Sequence, residues 1–171
     1  MRRIALLLIA AGGAPLLLAA QATTPAGCAR AANDWFNTAY RAARDSAAHP
    51  GGKPANTRAL LDQRTAKTRA CAAQFTVEST ASGDLLDLAA LYSSVGLDSL
   101  AGAAIDRRLA DPALSEADRA AGLVARISAL TRPDTLLIVR AEPYMTPLDA
   151  MSDGVRRHKL AAHQVLNGEY R

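Results

Sequence analysis

The side chains of this chain that could carry out chemistry are two cysteines and three histidines. Cys28 and Cys71 are far apart, whereas a redox-active pair needs closely spaced thiols such as those of a C-x-x-C element. Two cysteines allow only one intramolecular pairing, and disulfides persist in oxidising compartments. We therefore predict a structural disulfide between Cys28 and Cys71, and a redox-active pair is the alternative.

The spacing of the histidines does not suit a metal site. His158 and His163 are five residues apart, which on a helix separates them by about 140°, so they cannot bind one metal ion as an i, i+4 pair does. His49 lies in a His-Pro-Gly-Gly sequence, which is typical of a loop. No serine lies in a Gly-x-Ser-x-Gly motif, and no glycine pair belongs to a phosphate-binding loop. We expect no catalytic residue, no cofactor, no metal and no enzymatic activity.

Residues 1–22 have the pattern of a secretory signal peptide. Arg2 and Arg3 form a basic start, an apolar run follows, and Ala20-Gln21-Ala22 provides a small-x-small cleavage site. An uncleaved membrane anchor is one alternative, because the apolar run is not far short of the about 20 residues that span a bilayer. Lipidation of Cys28 is another, because small residues precede this cysteine. We expect an exported protein, periplasmic or extracellular, that meets the membrane only through this segment or a lipid.

Cleavage after Ala22 leaves 149 of the 171 residues, which is a normal size for one domain. We therefore expect residues 23–171 to form a single domain, whose net charge falls from +4 to +2 because Arg2 and Arg3 are removed. No long basic stripe alternates with aromatic residues, so nucleic acid is not expected as a partner. The basic run 156–159 is expected to be a solvated helix face, with an acidic partner or anionic lipid as the alternative.

The cysteines and histidines are expected to lie on or between helices. Alanine is the commonest residue and aromatic residues are only 4% of the chain, a balance that favours helices over strands. Apolar spacing predicts a first helix over residues 28–43 and a second that Asn56 caps and that extends to Phe75. Cys28 begins the first helix and Cys71 lies near the end of the second. In an antiparallel hairpin these two ends meet, which agrees with a disulfide.

Further helices are predicted after a polar linker at residues 76–83, which is a candidate subdomain joint. A helix over 85–95 and a turn at Gly96 lead to a fourth helix that ends before Pro112. Ser115 begins a fifth helix in a capping-box-like sequence. The four apolar residues 136–139 could form a short strand, and a last helix is predicted from Thr146-Pro147 to Asn167-Gly168.

The third and fourth helices resemble a tetratricopeptide repeat, a helix-turn-helix unit of about 34 residues. In the first helix of the unit, the residues that carry the resemblance are Leu85, Leu88, Ala89 and Tyr92, which match the Trp, Leu, Gly and Tyr positions. In the second helix they are Ala101 and Ile105, and Pro112 matches the closing proline. The match covers one repeat, and a generic array of helical hairpins is the alternative. Either implies an all-α fold of antiparallel hairpins stacked as a short array, or an irregular bundle.

The resemblance implies a protein or peptide partner, bound in a groove between stacked helix pairs. We therefore expect an exported, non-enzymatic scaffold or adaptor. A first alternative is an accessory helical region of an envelope thiol-disulfide protein whose thioredoxin-like catalytic domain is absent from this chain. A second is a structural component of the envelope.

Overall fold

A computed structural model describes residues 24–131 and 138–168, which form seven α-helices and no strand. The helices are α1 (Pro25–Ala47), α2 (Thr57–Ala72), α3 (Leu85–Ser94), α4 (Asp98–Leu109), α5 (Glu116–Thr131), α6 (Ile138–Asp149) and α7 (Arg156–Leu166). Single 3₁₀ turns at Ser82–Asp84 and Asp153–Val155 lead into α3 and α7. The prediction of an all-α fold is therefore confirmed.

Two predicted segments fall wholly or partly outside the described residues. The signal peptide at residues 1–22 lies outside them, together with its cleavage site. Residues 136 and 137 of the possible strand at 136–139 also lie outside them. The rest of that prediction is wrong, because Ile138 and Val139 begin α6.

The predicted helix caps are present in the structure. The side chain of Asn56 accepts a hydrogen bond from the backbone of Ala59 at 3.0 Å, and Ser115 accepts one from Asp118 at 3.1 Å. Thr24 caps α1 in the same way, and Pro25 fits the first helical position because its missing N–H would have no partner there. These polar side chains satisfy backbone donors that the first turn of a helix leaves open.

The helices pack as antiparallel hairpins stacked in chain order. Each helix contacts the next one, and α1, α3 and α5 also contact α3, α5 and α7 respectively. Among the described residues, helices more than two positions apart make no comparable contact. The array therefore consists of the hairpins α1–α2, α3–α4 and α5–α6, with α7 packed on α5.

Two apolar clusters hold the array together. The first is centred on the α3–α4 hairpin and receives Cys28 from α1 and Ala72 from α2. The second joins α5, α6 and α7 around Ile127 and Leu148, both of which are fully buried. Leu109, near the end of α4, packs against both clusters. The helix pairs therefore form one continuous stack between residues 24 and 168.

The predicted start of the last helix is wrong. Thr146 and Pro147 lie inside α6, and the last helix, α7, begins only at Arg156. Its predicted end is confirmed, because α7 stops at Leu166 and Gly168 has a φ of +76°. Proline in a helix costs about 3 kcal/mol, and α6 tolerates it because Ala141, Met145 and Leu148 are buried against α5 and α7.

Candidate functional site

An open groove between α3 and α5 is the best candidate for a functional site. Its volume is about 240 Å³. One wall is α3, the other is α5, and Ile105 of α4 closes the floor between them. The wall residues are Leu86, Ala89, Ala90, Ser93 and Ser94 on α3, and Ala125, Ser128 and Ala129 on α5.

The lining of this groove is mainly apolar and includes three hydroxyl groups. Leucine, isoleucine and alanine provide most of the surface, three serines provide hydroxyls, and no lining residue is ionisable. Such a surface can bury apolar side chains and offer hydroxyls to hydrogen-bonding groups. The lining offers no general acid or base and no charge to hold a metal ion.

The turn between α3 and α4 sets the angle of the first wall. Gly96 has a φ of +78°, a conformation that glycine adopts without the steric cost of a Cβ. The backbone of Leu97 donates to Tyr92 at 2.9 Å and that of Gly96 donates to Ser93 at 3.2 Å, which together form a Schellman motif. The guanidinium of Arg69, from α2, donates to the carbonyl of Val95 at 3.1 Å and holds the same turn.

Tyr92 connects the wall helix α3 to the first hairpin. Its ring is buried in the first core, and its hydroxyl donates to the carbonyl of Phe75 at 2.7 Å. Burial raises the pKa of Tyr92 above its usual value, and the carboxylate of Glu78 raises it further. The phenol is therefore held in its neutral, hydrogen-bonding form.

The second wall is attached to α4 by an ion pair. The Nε of Arg126 on α5 lies 2.9 Å from a carboxylate oxygen of Asp106, and it also donates to the hydroxyl of Tyr144 at 3.3 Å. The guanidinium lies 5.6 Å from the centre of the Tyr144 ring. Gly102 faces this guanidinium, where a Cβ would lie only 2.5 Å from its Nη1. A glycine at 102 therefore leaves room for the link between the helices.

A polar network at the end of α4 holds the loop that leads to α5. Asp111 accepts hydrogen bonds from Ser82 at 2.6 Å and from the backbone of Ala113 at 2.9 Å. The pKa of Asp111 is lowered, chiefly by the hydrogen bond from Ser82 and then by the one from Ala113. The nearby guanidinium groups of Arg108 and Arg119 lower it further, and together these effects outweigh the desolvation that would raise it. The carboxylate thus accepts hydrogen bonds from the segment that precedes α3 and from the corner that follows α4.

A carboxylate also connects the start of α5 to the segment before α7. Glu116 accepts a hydrogen bond from the backbone of Ser152 at 2.6 Å and another from its hydroxyl. These bonds, the hydroxyl bond first, lower the pKa of Glu116, and Lys159 lowers it further. The groove therefore lies between helices whose ends are joined by charged hydrogen bonds.

The predicted disulfide is confirmed. Cys28 and Cys71 are bonded, with their Cα atoms 5.9 Å apart, and the bond closes a loop of 43 residues. Cys28 is almost fully buried, with 1% of its surface exposed. The disulfide uses the sulfur of Cys28, so lipidation of this sulfur and the disulfide are mutually exclusive.

Six of the repeat-motif residues are buried and one is exposed. Leu85, Leu88, Ala89, Tyr92, Ala101 and Ile105 are all buried in the first core. Pro112 is exposed at the corner after α4. Only Ala89 and Ile105 also line the groove. The motif therefore describes how α3 packs against α4, and the tetratricopeptide resemblance stays a prediction.

Most of the groove was not identified from the sequence. Alanine and serine recur at residues 89, 90, 93 and 94 of α3, and at 125, 128 and 129 of α5. This i, i+3, i+4 spacing of small residues indicates one helix face. It does not show that the two faces lie side by side, which depends on how α5 packs.

The polar segment 76–83 packs against α4. The segment is packed, since Arg107 donates to the carbonyls of Val77 and Thr80. Trp35 of α1 is only partly buried, and Lys67 lies over its ring at 4.8 Å.

The histidines and the basic run belong to α7 and its surroundings. His163 lies 3.1 Å from a carboxylate oxygen of Asp149, and Lys159 donates to the carbonyls of Asp149 and Met151 at 2.8 and 2.6 Å. Arg156 and Arg157 are exposed to solvent. Within 24–131 and 138–168, no three His, Cys, Asp or Glu side chains cluster as metal ligands would.

Comparisons with known proteins add no family to these observations. No protein-family model matches the chain, and no curated protein or solved structure is significantly similar to it. In the part of the chain that the structure describes, no helix combines the length and the apolar character that crossing a membrane requires.

Proposed function

We propose that this chain is an exported, non-enzymatic adaptor that binds an apolar peptide segment of a protein partner in the α3–α5 groove. The observation that carries this proposal is the groove itself, an open channel whose walls are two neighbouring helices lined by small uncharged side chains. Stacked helical hairpins commonly bind their partners through surfaces of this kind.

The dimensions of the groove favour a peptide over a small molecule. Its volume of about 240 Å³ lies below the roughly 300–1,000 Å³ of typical small-molecule sites, and it is open on one side. Short side chains at Ala89, Ala90 and Ala125 allow the backbone of a partner to approach closely. Leu86 and Ile105 supply apolar surface for the partner's side chains to bury.

Export is supported by two features of different kinds. The sequence of residues 1–22 has the pattern of a signal peptide. The disulfide between Cys28 and Cys71 is a kind of bond that persists in oxidising compartments and is rare in the cytosol. These features support our proposal that the adaptor works in the periplasm or outside the cell.

A pull-down with a blocked groove tests this function. Ala90 lines the groove and is exposed, so Ala90→Arg places a long charged side chain where the partner would lie. Ala103 is an equally exposed alanine on α4 outside the groove, and Ala103→Arg is the matched control. Both variants and the parent protein are crosslinked in the envelope fraction and the captured proteins are identified by mass spectrometry.

The expected result is a specific protein that the parent and Ala103→Arg recover and Ala90→Arg loses. Circular dichroism of the three proteins should be the same, because both substitutions are at exposed helical positions. Equal recovery by all three proteins would contradict binding in this groove. Recovery of no specific protein by a folded, abundant parent would favour a structural role in the envelope.

A further inference from the structure

The first hairpin has a free end that the other helices described by the structure do not cover. At 1.5 Å per residue, α1 with its 23 residues is about 34 Å long, whereas α3 with 10 residues is about 15 Å long. The fully buried residues of the hairpin lie near the disulfide, at Pro25, Cys28 and Ala32 on α1 and at Thr68 and Ala72 on α2. None of residues 33–67 is buried, and we call this part the free end of the hairpin.

Aromatic side chains are concentrated at this free end, together with one exposed leucine. Phe36 and Tyr40 stack with their ring centres 6.0 Å apart, and Trp35 lies one residue away. Tyr40 is 36% exposed, and Leu61 on α2 is 38% exposed. Three of the seven aromatic residues of the chain thus lie on a surface that belongs to neither apolar cluster.

The free end, residues 33–67, has a net charge of +3, from six Lys and Arg against three Asp and no Glu. Residues 24–75 contain eight Lys and Arg but only three Asp and no Glu, for a net charge of +5. Residues 76–171 contain ten Lys and Arg and thirteen Asp and Glu, for a net charge of −3. The small net charge of the whole mature chain therefore conceals a strongly basic first hairpin.

We propose that the free end of the hairpin docks on the surface of an anionic lipid bilayer. Lys and Arg near such a surface are attracted to the negative headgroups, and Trp, Tyr and Phe rings insert at the boundary between headgroups and acyl chains. The exposed Arg41 and Arg44 of α1 lie in the same helix as the aromatic residues. This surface is separate from the α3–α5 groove, so the docking does not depend on the groove binding a peptide.

The packing of the aromatic rings favours a bilayer over a single-stranded nucleic acid. Bases stack on open ring faces, but Lys67 covers the Trp35 ring at 4.8 Å and Arg64 covers the Phe36 ring at 5.6 Å. A bilayer needs no open ring face, because long basic side chains can extend towards the headgroups while their apolar stems and the rings meet the acyl chains.

Trp35 offers a direct test because it is the one tryptophan of the chain. The full chain is expressed, recovered after export and titrated with vesicles of phosphatidylcholine alone, or of phosphatidylcholine with an equal part of phosphatidylglycerol. We expect sedimentation with the anionic vesicles alone, a shift of Trp35 emission to shorter wavelength, and loss of both at high salt. Equal binding to both vesicles, or none to either, would overturn the proposal.

Charge variants show whether the hairpin is the docking surface. Arg41→Gln with Arg44→Gln removes two positive charges, and at typical strengths of lipid attraction this should weaken binding to anionic vesicles about 30-fold. Arg156→Gln with Arg157→Gln is the matched control, because this exposed pair lies on α7. Equal weakening by both variants would contradict docking through the hairpin. Quenching of Trp35 by a single-stranded oligonucleotide without any response to vesicles would also overturn the proposal.

Discussion

Reduction of the disulfide should loosen the first hairpin before it affects the rest of the protein. The α1–α2 pair contributes few apolar residues to the first core, and Cys28 is the most deeply buried of those on α1. The bond between Cys28 and Cys71 closes 43 residues of chain. In the chain-entropy description, removal of such a closure destabilises a folded protein by about 4 kcal/mol at 25 °C.

This loss is a large share of the free energy of unfolding of an ordinary domain, which is about 5–15 kcal/mol. For a chain of this length it corresponds to a fall in Tm of about 8–16 °C. Thermal unfolding followed by circular dichroism, with and without reductant, measures the fall. Both cysteines of the chain are in the disulfide, so the reductant has no other thiol to act on.

Hydrogen exchange shows where the destabilisation acts. After reduction, the backbone amides of α1 and α2 should exchange much faster, whereas those of α5 should change little because α5 belongs to the second core. Uniformly faster exchange in all helices would show that the hairpin is not a separate weak point. A fall in Tm of less than about 2 °C would contradict the entropy argument itself.

Three substitutions, with Leu100→Ala as an exposed control for the first, test the packing and the hydrogen bonds of the helix array. Leu88→Ala empties a fully buried position and should lower the free energy of unfolding by about 3 kcal/mol, whereas Leu100→Ala at a 44% exposed position should cost under about 1 kcal/mol in denaturant unfolding. Tyr92→Phe should lower the free energy of unfolding by about 1–3 kcal/mol because the Phe75 carbonyl loses its partner, and it should remove a phenol of raised pKa from an alkaline absorbance titration. A Tyr92 whose pKa is not raised would contradict its burial. Because folding lowers the pKa of Asp111, its carboxylate stabilises the fold at pH values above 3.8, the ordinary pKa of this group, and this contribution is lost as the pH falls through the folded-state pKa. Asp111→Asn should therefore be less stable than the parent near neutral pH and should approach the parent's stability in acid. A stability difference that does not depend on pH would contradict the role of this carboxylate.

The sequence predicted the helices whose ends carry local signals. The caps at Asn56 and Ser115 and the turn at Gly96 act through neighbouring backbone groups, so residue type alone identifies them. The disulfide followed from two cysteines and an antiparallel pair of helices. The start of the last helix was mistaken because Thr146-Pro147 has the form of a helix start, and only tertiary packing shows that these residues continue α6.

The candidate site was harder to predict than the helices. The groove needs α3 and α5 side by side, and the ion pair between Asp106 and Arg126 that supports this arrangement joins residues 20 positions apart. The basic free end of the first hairpin was also missed, because a net charge for the whole chain averages over residues that the fold separates. Both features depend on which helix faces meet, which periodicity in a single helix does not show.

Site-specific photocrosslinking from inside the groove would show whether a partner protein binds there. A photoreactive amino acid replaces Ala90, which lines the groove, or Ala103, which does not, and the cells are illuminated before the envelope is extracted. The proposed function requires a discrete crosslinked protein from position 90 and none from position 103. The same crosslinks from both positions, or none from position 90 in a folded and exported protein, would contradict a peptide-binding groove between α3 and α5.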